Sequence, residues 1–78
     1  MSRKHILKEG TLVSHFKGRF YRVLGVAENV ECGELVVVYK DIDGSGMYIE
    51  SIDDFLDKVD KTKYPEITRT YIYEEVEC

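Results

Sequence analysis

The stretch "SHFKGRFYRVLG", residues 14–25, gathers one histidine, three aromatic residues (Phe16, Phe20, Tyr21) and three basic residues (Lys17, Arg19, Arg22) around a single Lys17-Gly18 turn. Successive side chains of a strand point to opposite faces. On that rule Leu12, Ser14 and Phe16 face one way and Thr11, Val13 and His15 the other, and Lys17-Gly18-Arg19 supplies the reversal. Gly18 is the residue free to take positive φ there. The chain returns through "FYRVLGVAE", with Tyr21, Val23, Gly25 and Ala27 on one side and Phe20, Arg22, Leu24 and Val26 on the other. The stretch therefore reads as a β-hairpin. Val13, Phe16, Val23 and Leu24 are its packing candidates, and Gly25 in mid-strand marks a bend, a bulge or a close backbone approach.

Working outward, the pattern stays β. After the polar "ENVECGE" comes "LVVVYK", a β-branched run that asks for burial on both faces and reads as the central strand. "DIDGSG" closes a second hairpin into "MYIE". The period then changes: Ile52, Phe55, Leu56 and Val59 fall at i, i+3, i+4 and i+7, an apolar stripe that predicts a two-turn helix around residues 52–59. Ser51 with Asp54 three residues on is a variant capping box at its start. Past "KTKYP", the alternation of "EITRTYIY" predicts a last strand that returns to the sheet. The expected fold is mainly β: a small, SH3-like, strongly bent antiparallel sheet or partly open barrel of about five strands with one short α-helix. Residues 1–78 form one domain on this reading, with 1–9 and 74–78 frayed.

Composition narrows the function classes. Of 78 residues, 44% are hydrophobic and 33% charged, as in an ordinary folded domain. The N-terminus "MSRKHILKEG" is charged and lacks the apolar run of a signal peptide, and no stretch is long enough to span a membrane, so a cytoplasmic location without membrane partners is expected. Cys32 and Cys78 are too few for a disulfide framework and read as free thiols. The net charge of −4 hides an asymmetry: residues 1–27 carry six Lys/Arg against one acid, residues 28–78 five against fourteen. The basic end offers a nucleic-acid reading in which Lys17, Arg19 and Arg22 contact the phosphates of an RNA or of a ribosome-associated site. Basic residues on sheet edges also serve against edge-to-edge pairing.

No motif here carries catalysis. Asp41, Asp43, Ser45 and Gly46 occupy positions 1, 3, 5 and 6 of a calcium-loop pattern, but position 12 is Ile52 where a bidentate glutamate is needed, and a glycine-rich hairpin turn accounts for the stretch. His5, His15, Cys32 and Cys78 have no paired metal-ligand spacing. Glu31 and Glu34 flank Cys32, and reactive cysteines sit in electropositive surroundings, not acidic ones. Ser14 and His15 are successive strand residues facing opposite ways. The chain is therefore read as non-enzymatic, without cofactor or metal. Tyrosine joins a large apolar contact to a polar tip, so Tyr21, Tyr39 and Tyr48 on predicted strands either stack a ligand or pack as cross-strand pairs. With His15, Lys17 and Glu31 they form the candidate ligand-binding set for a peptide, a small metabolite or a nucleotide. An open sheet edge is compatible with a monomer or a homodimer.

The segments "HFKGRFYRV" (His15 to Val23), Ala27, Glu31, Glu34, "VVY" (Val37 to Tyr39) and "FLDKV" (Phe55 to Val59) resemble a family of small bacterial proteins, domain of unknown function 1653 (DUF1653). The resemblance spans Gly10 to Tyr73 and implies the same bent sheet or SH3-like barrel with a short helix. It implies no activity. The chain departs from the family pattern at Asn29 (histidine in the family), Cys32 (threonine), Tyr48 (tryptophan) and Glu50-Ser51 (Arg-Pro).

Overall fold

The Lys17-Gly18 turn closes with Gly18 at φ +99° and its N–H on the carbonyl of His15 at 2.8 Å. From this hairpin the computed structural model, which describes residues 3–76, builds one antiparallel sheet of five strands. These are β1 (Leu12–His15), β2 (Phe20–Glu28), β3 (Leu35–Asp41), β4 (Met47–Ser51) and β5 (Tyr73–Glu75), in the order β4-β3-β2-β1-β5. A 3-10 turn at Lys4–Leu7 precedes β1, and one helix, α1 (Ile52–Phe55), follows β4. The sheet bends without closing, so β4 and β5 both remain edges. The β2–β3 register skips a residue between Val23 and Gly25, with Gly25 at φ +146°, so of the bend, bulge or close approach open there it is a bulge. The skip corrects the expected alternation past Val23, putting Val26 opposite Val37 on the inner side and Gly25 and Ala27 on the other. No helix among the described residues is long and apolar enough to cross a membrane.

Bending gives the sheet an inner and an outer face. The inner face holds the core: Val13, Val23, Val37, Tyr39 and Tyr73 from the strands, with Phe55 from α1 and Ile6 from the N-terminal turn. The other face is covered only in part among the described residues, where Arg69 donates to Ser14 and lies 3.7 Å from Glu74. The outer face leaves Phe20 half-exposed and Met47 and Ile49 each 68% exposed. The expectation that "LVVVYK" is the central strand, buried on both sides, is corrected accordingly. β3 is an interior strand between β2 and β4, and it buries Val37 and Tyr39 while Val36 and Val38 are half-buried.

Three further expectations are corrected by where backbone groups find partners. The helix predicted over 52–59 is a single turn. Ser51 caps it as expected, its Oγ accepting from the N–H of Asp54 at 3.2 Å. Beyond Leu56 the chain instead pairs with the returning segment: the carbonyl of Asp57 accepts from Ile72 N–H, Val59 N–H donates to Thr70, and Lys58 bridges to Tyr71. Phe55 and Val59 stay buried, so the apolar stripe correctly marks the core but not the helix length. The last strand is likewise shorter and later than "EITRTYIY" predicts. Around 60–64 Asp60 organises a turn through its Oδ1 and carbonyl, and Lys61 Nζ donates to the carbonyls of Ile67 and Arg69, so regular pairing resumes only at Tyr73.

The described residues of the two expected frayed ends, 3–9 and 74–76, are tied to the sheet and the core. Glu74 and Glu75 pair with Ser14 and Val13 in β5, and Val76 N–H donates to Leu12. At the other end Ile6 is 1% exposed, and Arg3 clamps the chain by donating to the carbonyls of Leu56 and Tyr73 while lying 3.7 Å over the ring of Tyr71. Met1, Ser2, Glu77 and Cys78 lie outside the described residues, and with them the expected free thiol of Cys78. Cys32 is an exposed free thiol.

Ile6→Ala should therefore cost about 3 kcal/mol, the usual scale for truncating a fully buried aliphatic side chain. Urea unfolding measures it, and a loss below about 1 kcal/mol would mean that the N-terminal turn is detached from the core.

Candidate functional site

Directly opposite residues of neighbouring strands share a face. The pairs Val13↔Tyr21, Tyr21↔Asp41, Tyr39↔Tyr48, Val37↔Glu50 and His15↔Tyr73 thus put His15, Tyr21, Tyr39, Asp41, Tyr48, Glu50 and Tyr73 on the inner face with the core. One part of that face is lined by valines, and the other by rings with polar tips.

Tyr39 and Tyr73 are the buried members, 7% and 4% exposed. Their hydroxyls meet one carboxylate oxygen: Tyr39 Oη donates to Glu50 Oε1 at 3.0 Å and Tyr73 Oη at 3.2 Å, while the two hydroxyls lie 3.2 Å apart. Each phenol has a single proton, so two protons serve three close oxygen contacts. Burial, with the negative charge of Glu50 adding to it, pushes the Tyr39 phenol up to about 12, although its bond to Tyr73 works the other way. Burial also raises Tyr73, followed by its bond to Tyr39 and the charge of Glu50. Both remain neutral donors at neutral pH.

The rings are in contact with one another. Phe55 stacks on Tyr73 at 4.2 Å and 10°, and Tyr21 meets Tyr39 edge-on at 5.2 Å. Tyr48 lies 5.6 Å from Tyr39 and 6.0 Å from Tyr21. Spacings of this kind are those of packed aromatic pairs. Of the two alternatives open for the tyrosines, the middle of the cluster is core. Its outer members are another matter: Tyr21 is half-buried and Tyr48 is 40% exposed. The Tyr48 hydroxyl donates to Asp41 Oδ2 at 2.8 Å, and that bond raises its pKa. The ring lies back over the hairpin turn, where a Cβ on Gly46 would stand 2.3 Å from the Tyr48 oxygen and 2.8 Å from Asp41 Oδ2. Only glycine leaves room for this arrangement.

At the opposite side His15 stacks on Phe16 (4.7 Å) and meets Tyr73 edge-on (5.1 Å), and Phe16 meets Tyr64 edge-on at 5.0 Å. His15 Nδ1 accepts the backbone N–H of Lys17 at 3.0 Å. Burial holds the His15 pKa below the ordinary imidazole value, and the positive charges of Lys17, Arg69 and Arg19 act in the same direction. Since Tyr21 lies 6.1 Å from Tyr73, the rings form one row, Tyr48–Tyr21–Tyr73–His15–Phe16–Tyr64, with an acidic group at one end and Lys17 at the other.

Of the candidate ligand-binding set, the fold brings together His15, Tyr21, Tyr39 and Tyr48, with Lys17 beside them. Glu31 is not among them. It sits in the exposed loop beyond the Glu28↔Leu35 pair, at the far end of the β2–β3 hairpin from Tyr21↔Asp41, and its N–H is taken by Asn29 Oδ1. The nucleic-acid set is divided as well. Lys17 and Arg19 share the turn, but Arg22 pairs with Lys40 and Leu12 on the outer face and donates to the carbonyl of Gly10 at 2.8 Å. Glu50, Phe55, Tyr64 and Tyr73 belong to the cluster without having been singled out. The alternation through "EITRTYIY" was the available signal for Tyr73, whereas Tyr64 lies in an irregular loop and had none. In "DIDGSG" the acids have local work: Asp43 Oδ1 accepts from the N–H and hydroxyl of Ser45, and Asp41 holds Tyr48.

The family model described as protein of unknown function (DUF1653) matches residues 11–69, and the chain belongs to that family. No curated protein and no solved structure matches it. The matched span contains β1 to β4 and α1, while the N-terminal turn and β5, with Tyr73, lie outside it.

Two outcomes follow from this geometry. A phenol whose pKa is raised on folding contributes stability that is complete below the unfolded value and lost as pH rises through the folded one. Stability to urea should therefore hold to about pH 10 and decline toward about 12, with Tyr39→Phe flattening the decline; a Tyr39 that ionises near its ordinary pKa in the folded protein would contradict the buried cluster. Second, Gly46→Ala should cost about 1 kcal/mol by displacing the Tyr48 hydroxyl from Asp41. On a Tyr48→Ala background the same change should be nearly neutral, and a full cost there would show that Tyr48 is not what Gly46 accommodates.

Proposed function

We propose that this DUF1653 protein is a non-catalytic binding module whose recognition surface is the aromatic row on the inner face of the sheet. The observation that carries the reading is the contrast within the row. Its middle, Tyr39 and Tyr73 on Glu50, is buried and hydrogen-bonded, while Tyr21 and Tyr48 at one end and Phe16 and Tyr64 at the other are only partly covered. A rigid base that offers π faces at its margins loses little conformational entropy when a ligand arrives. His15 supports a binding role: its Nδ1 is committed to the Lys17 N–H and its ring is held between Phe16 and Tyr73. The ligand classes that suit such a surface are a short peptide, a small metabolite or a nucleotide.

Amide chemical shifts of the intact protein, followed during titration with the common ribonucleoside monophosphates and with tripeptides carrying a central aromatic or charged residue, test the proposal. Perturbations should concentrate at His15, Phe16, Tyr21, Tyr48 and Tyr64. Truncating an exposed end, Tyr48→Ala or Tyr64→Ala, should weaken the responding ligand about tenfold, equivalent to about 1.4 kcal/mol, in a protein that still unfolds cooperatively. Tyr48→Ala should also lower the melting temperature by several degrees through the lost bond to Asp41. Shifts scattered over the surface, or unchanged affinity in both variants, would sink the reading.

A further inference from the structure

The two ends of the row differ in charge, and the basic end is built from residues of two separate segments. Lys17 Nζ lies 5.3 Å from the centre of the Tyr64 ring and 5.9 Å from that of Phe16, and Lys63 Nζ lies 5.6 Å from the same Tyr64 ring. Two ammonium groups are thus drawn to one tyrosine, in a protein whose net charge is −4. Neither takes part in the ion pairs among the described residues, which join His5 to Glu75 and Arg69 to Glu74. Asp60, three residues before Lys63, turns its Oδ1 to the backbone N–H groups of Thr62 and Lys63. The ammonium of Lys61 is taken up by the carbonyls of Ile67 and Arg69, so it belongs to the loop and not to this pair. Both ammonium groups border the same ring, so an anion arriving there meets two positive charges. After burial, the charge of Lys17, with those of Arg69 and Arg19, lowers the His15 pKa, which places Lys17 near the inner face.

Resting on the reading of the row as a recognition surface, we infer that its basic end binds a nucleotide unit, with the phosphate between Lys17 and Lys63 and the base against the partly exposed rings of Phe16 and Tyr64. Lysine is a mobile point charge on a long stem, and two such stems can converge on one phosphate. Base stacking on an aromatic ring tolerates any base, so the site recognises the nucleotide class and not a sequence. A nucleotide satisfies both features at once, whereas an acidic peptide uses the lysines and leaves the rings unoccupied. The unit is either a free mononucleotide or one link of a single strand, and the chemistry of the site is common to both.

The experiment uses the full chain with adenosine monophosphate, adenosine, inorganic phosphate, a tetraglutamate peptide and an oligouridylate, each titrated by amide shifts and repeated on Lys17→Gln/Lys63→Gln. The monophosphate should perturb Phe16, Lys17, Lys63 and Tyr64 and bind about tenfold more tightly than adenosine, the scale of a charge-assisted phosphate contact. The double variant should bring the two ligands to equal affinity. If the source is a single strand, the oligouridylate binds more tightly than the mononucleotide and loses about threefold in affinity between 50 and 200 mM salt, as one neutralised phosphate requires; equal affinities identify the free nucleotide. Adenosine binding as well as its monophosphate, or tetraglutamate matching it at the same amides, would overturn the nucleotide inference and leave the row intact. Inorganic phosphate binding as tightly as the monophosphate removes the base from the site and overturns it too. No response to any nucleotide while a tripeptide still perturbs the row has the same meaning, and silence from every probe overturns both.

Discussion

The sheet of this protein is open along its backbone and joined through side chains. β4 and β5 are its two edges, separated by three intervening strands, yet Glu50 of β4 receives the hydroxyls of Tyr39 from β3 and of Tyr73 from β5. The stack of Phe55 on Tyr73 adds an apolar contact beside that junction. A five-stranded ladder bent far enough to bring these groups together needs a local break in its pairing, which the skip at Leu24 before Gly25 provides. A backbone closure would have required β4 and β5 to run alongside each other; the side-chain closure asks only that three oxygens meet. It also fixes what lies above it, since the row of partly covered rings stands on Tyr73 and Tyr39.

The family departures acquire a physical sense in this light. Glu50 stands where the resemblance leads one to expect arginine, and it is the acceptor that two buried phenols need. An arginine side chain has no acceptor to offer them. Ser51, in place of proline, caps α1 with its hydroxyl. Tyr48, in place of tryptophan, reaches Asp41 across Gly46. These three replacements, at Tyr48, Glu50 and Ser51, are each paired with a contact inside this chain, so the inversion of charge at Glu50 is absorbed by packing.

Legibility in the sequence followed the range of the interactions. The hairpin at Gly18, the Ser51 cap and the alternation of β1, β4 and β2 as far as Val23 are set by neighbours a few residues apart and are readable in the sequence. At Gly25, by contrast, a bend, a bulge and a close approach stay open, and the bulge reverses the faces of the residues after it. The length of α1 was not, because the groups that end it, Thr70, Tyr71 and Ile72, come from a distant segment that the 52–59 stripe cannot reveal. The N-terminal segment is expected from the sequence to fray, as chain ends commonly do. Its place is secured by two individual side chains, Ile6 in the core and Arg3 on carbonyls more than fifty residues away. In the candidate site the tyrosines on strands were visible as a set. Glu31 belongs to the family-like pattern, but the hairpin register sets it at the end of β2–β3 away from the tyrosines. Lys63 and Tyr64 sit in a loop organised by Asp60, where no periodicity announces which way a side chain points.

The junction of Tyr39, Tyr73 and Glu50 also governs motion. A tyrosine hydroxyl lies on the axis about which its ring flips, so a half-turn of Tyr39 or Tyr73 leaves both oxygens where they are and breaks no contact with Glu50. What resists the flip is the neighbouring rings, at 4.2 Å for Tyr73 on Phe55 and 5.2 Å for Tyr39 on Tyr21. The polar anchor and the steric gate are thus separate, and the rate at which these two rings turn is a direct gauge of how far the inner face breathes while its hydrogen bonds stay closed.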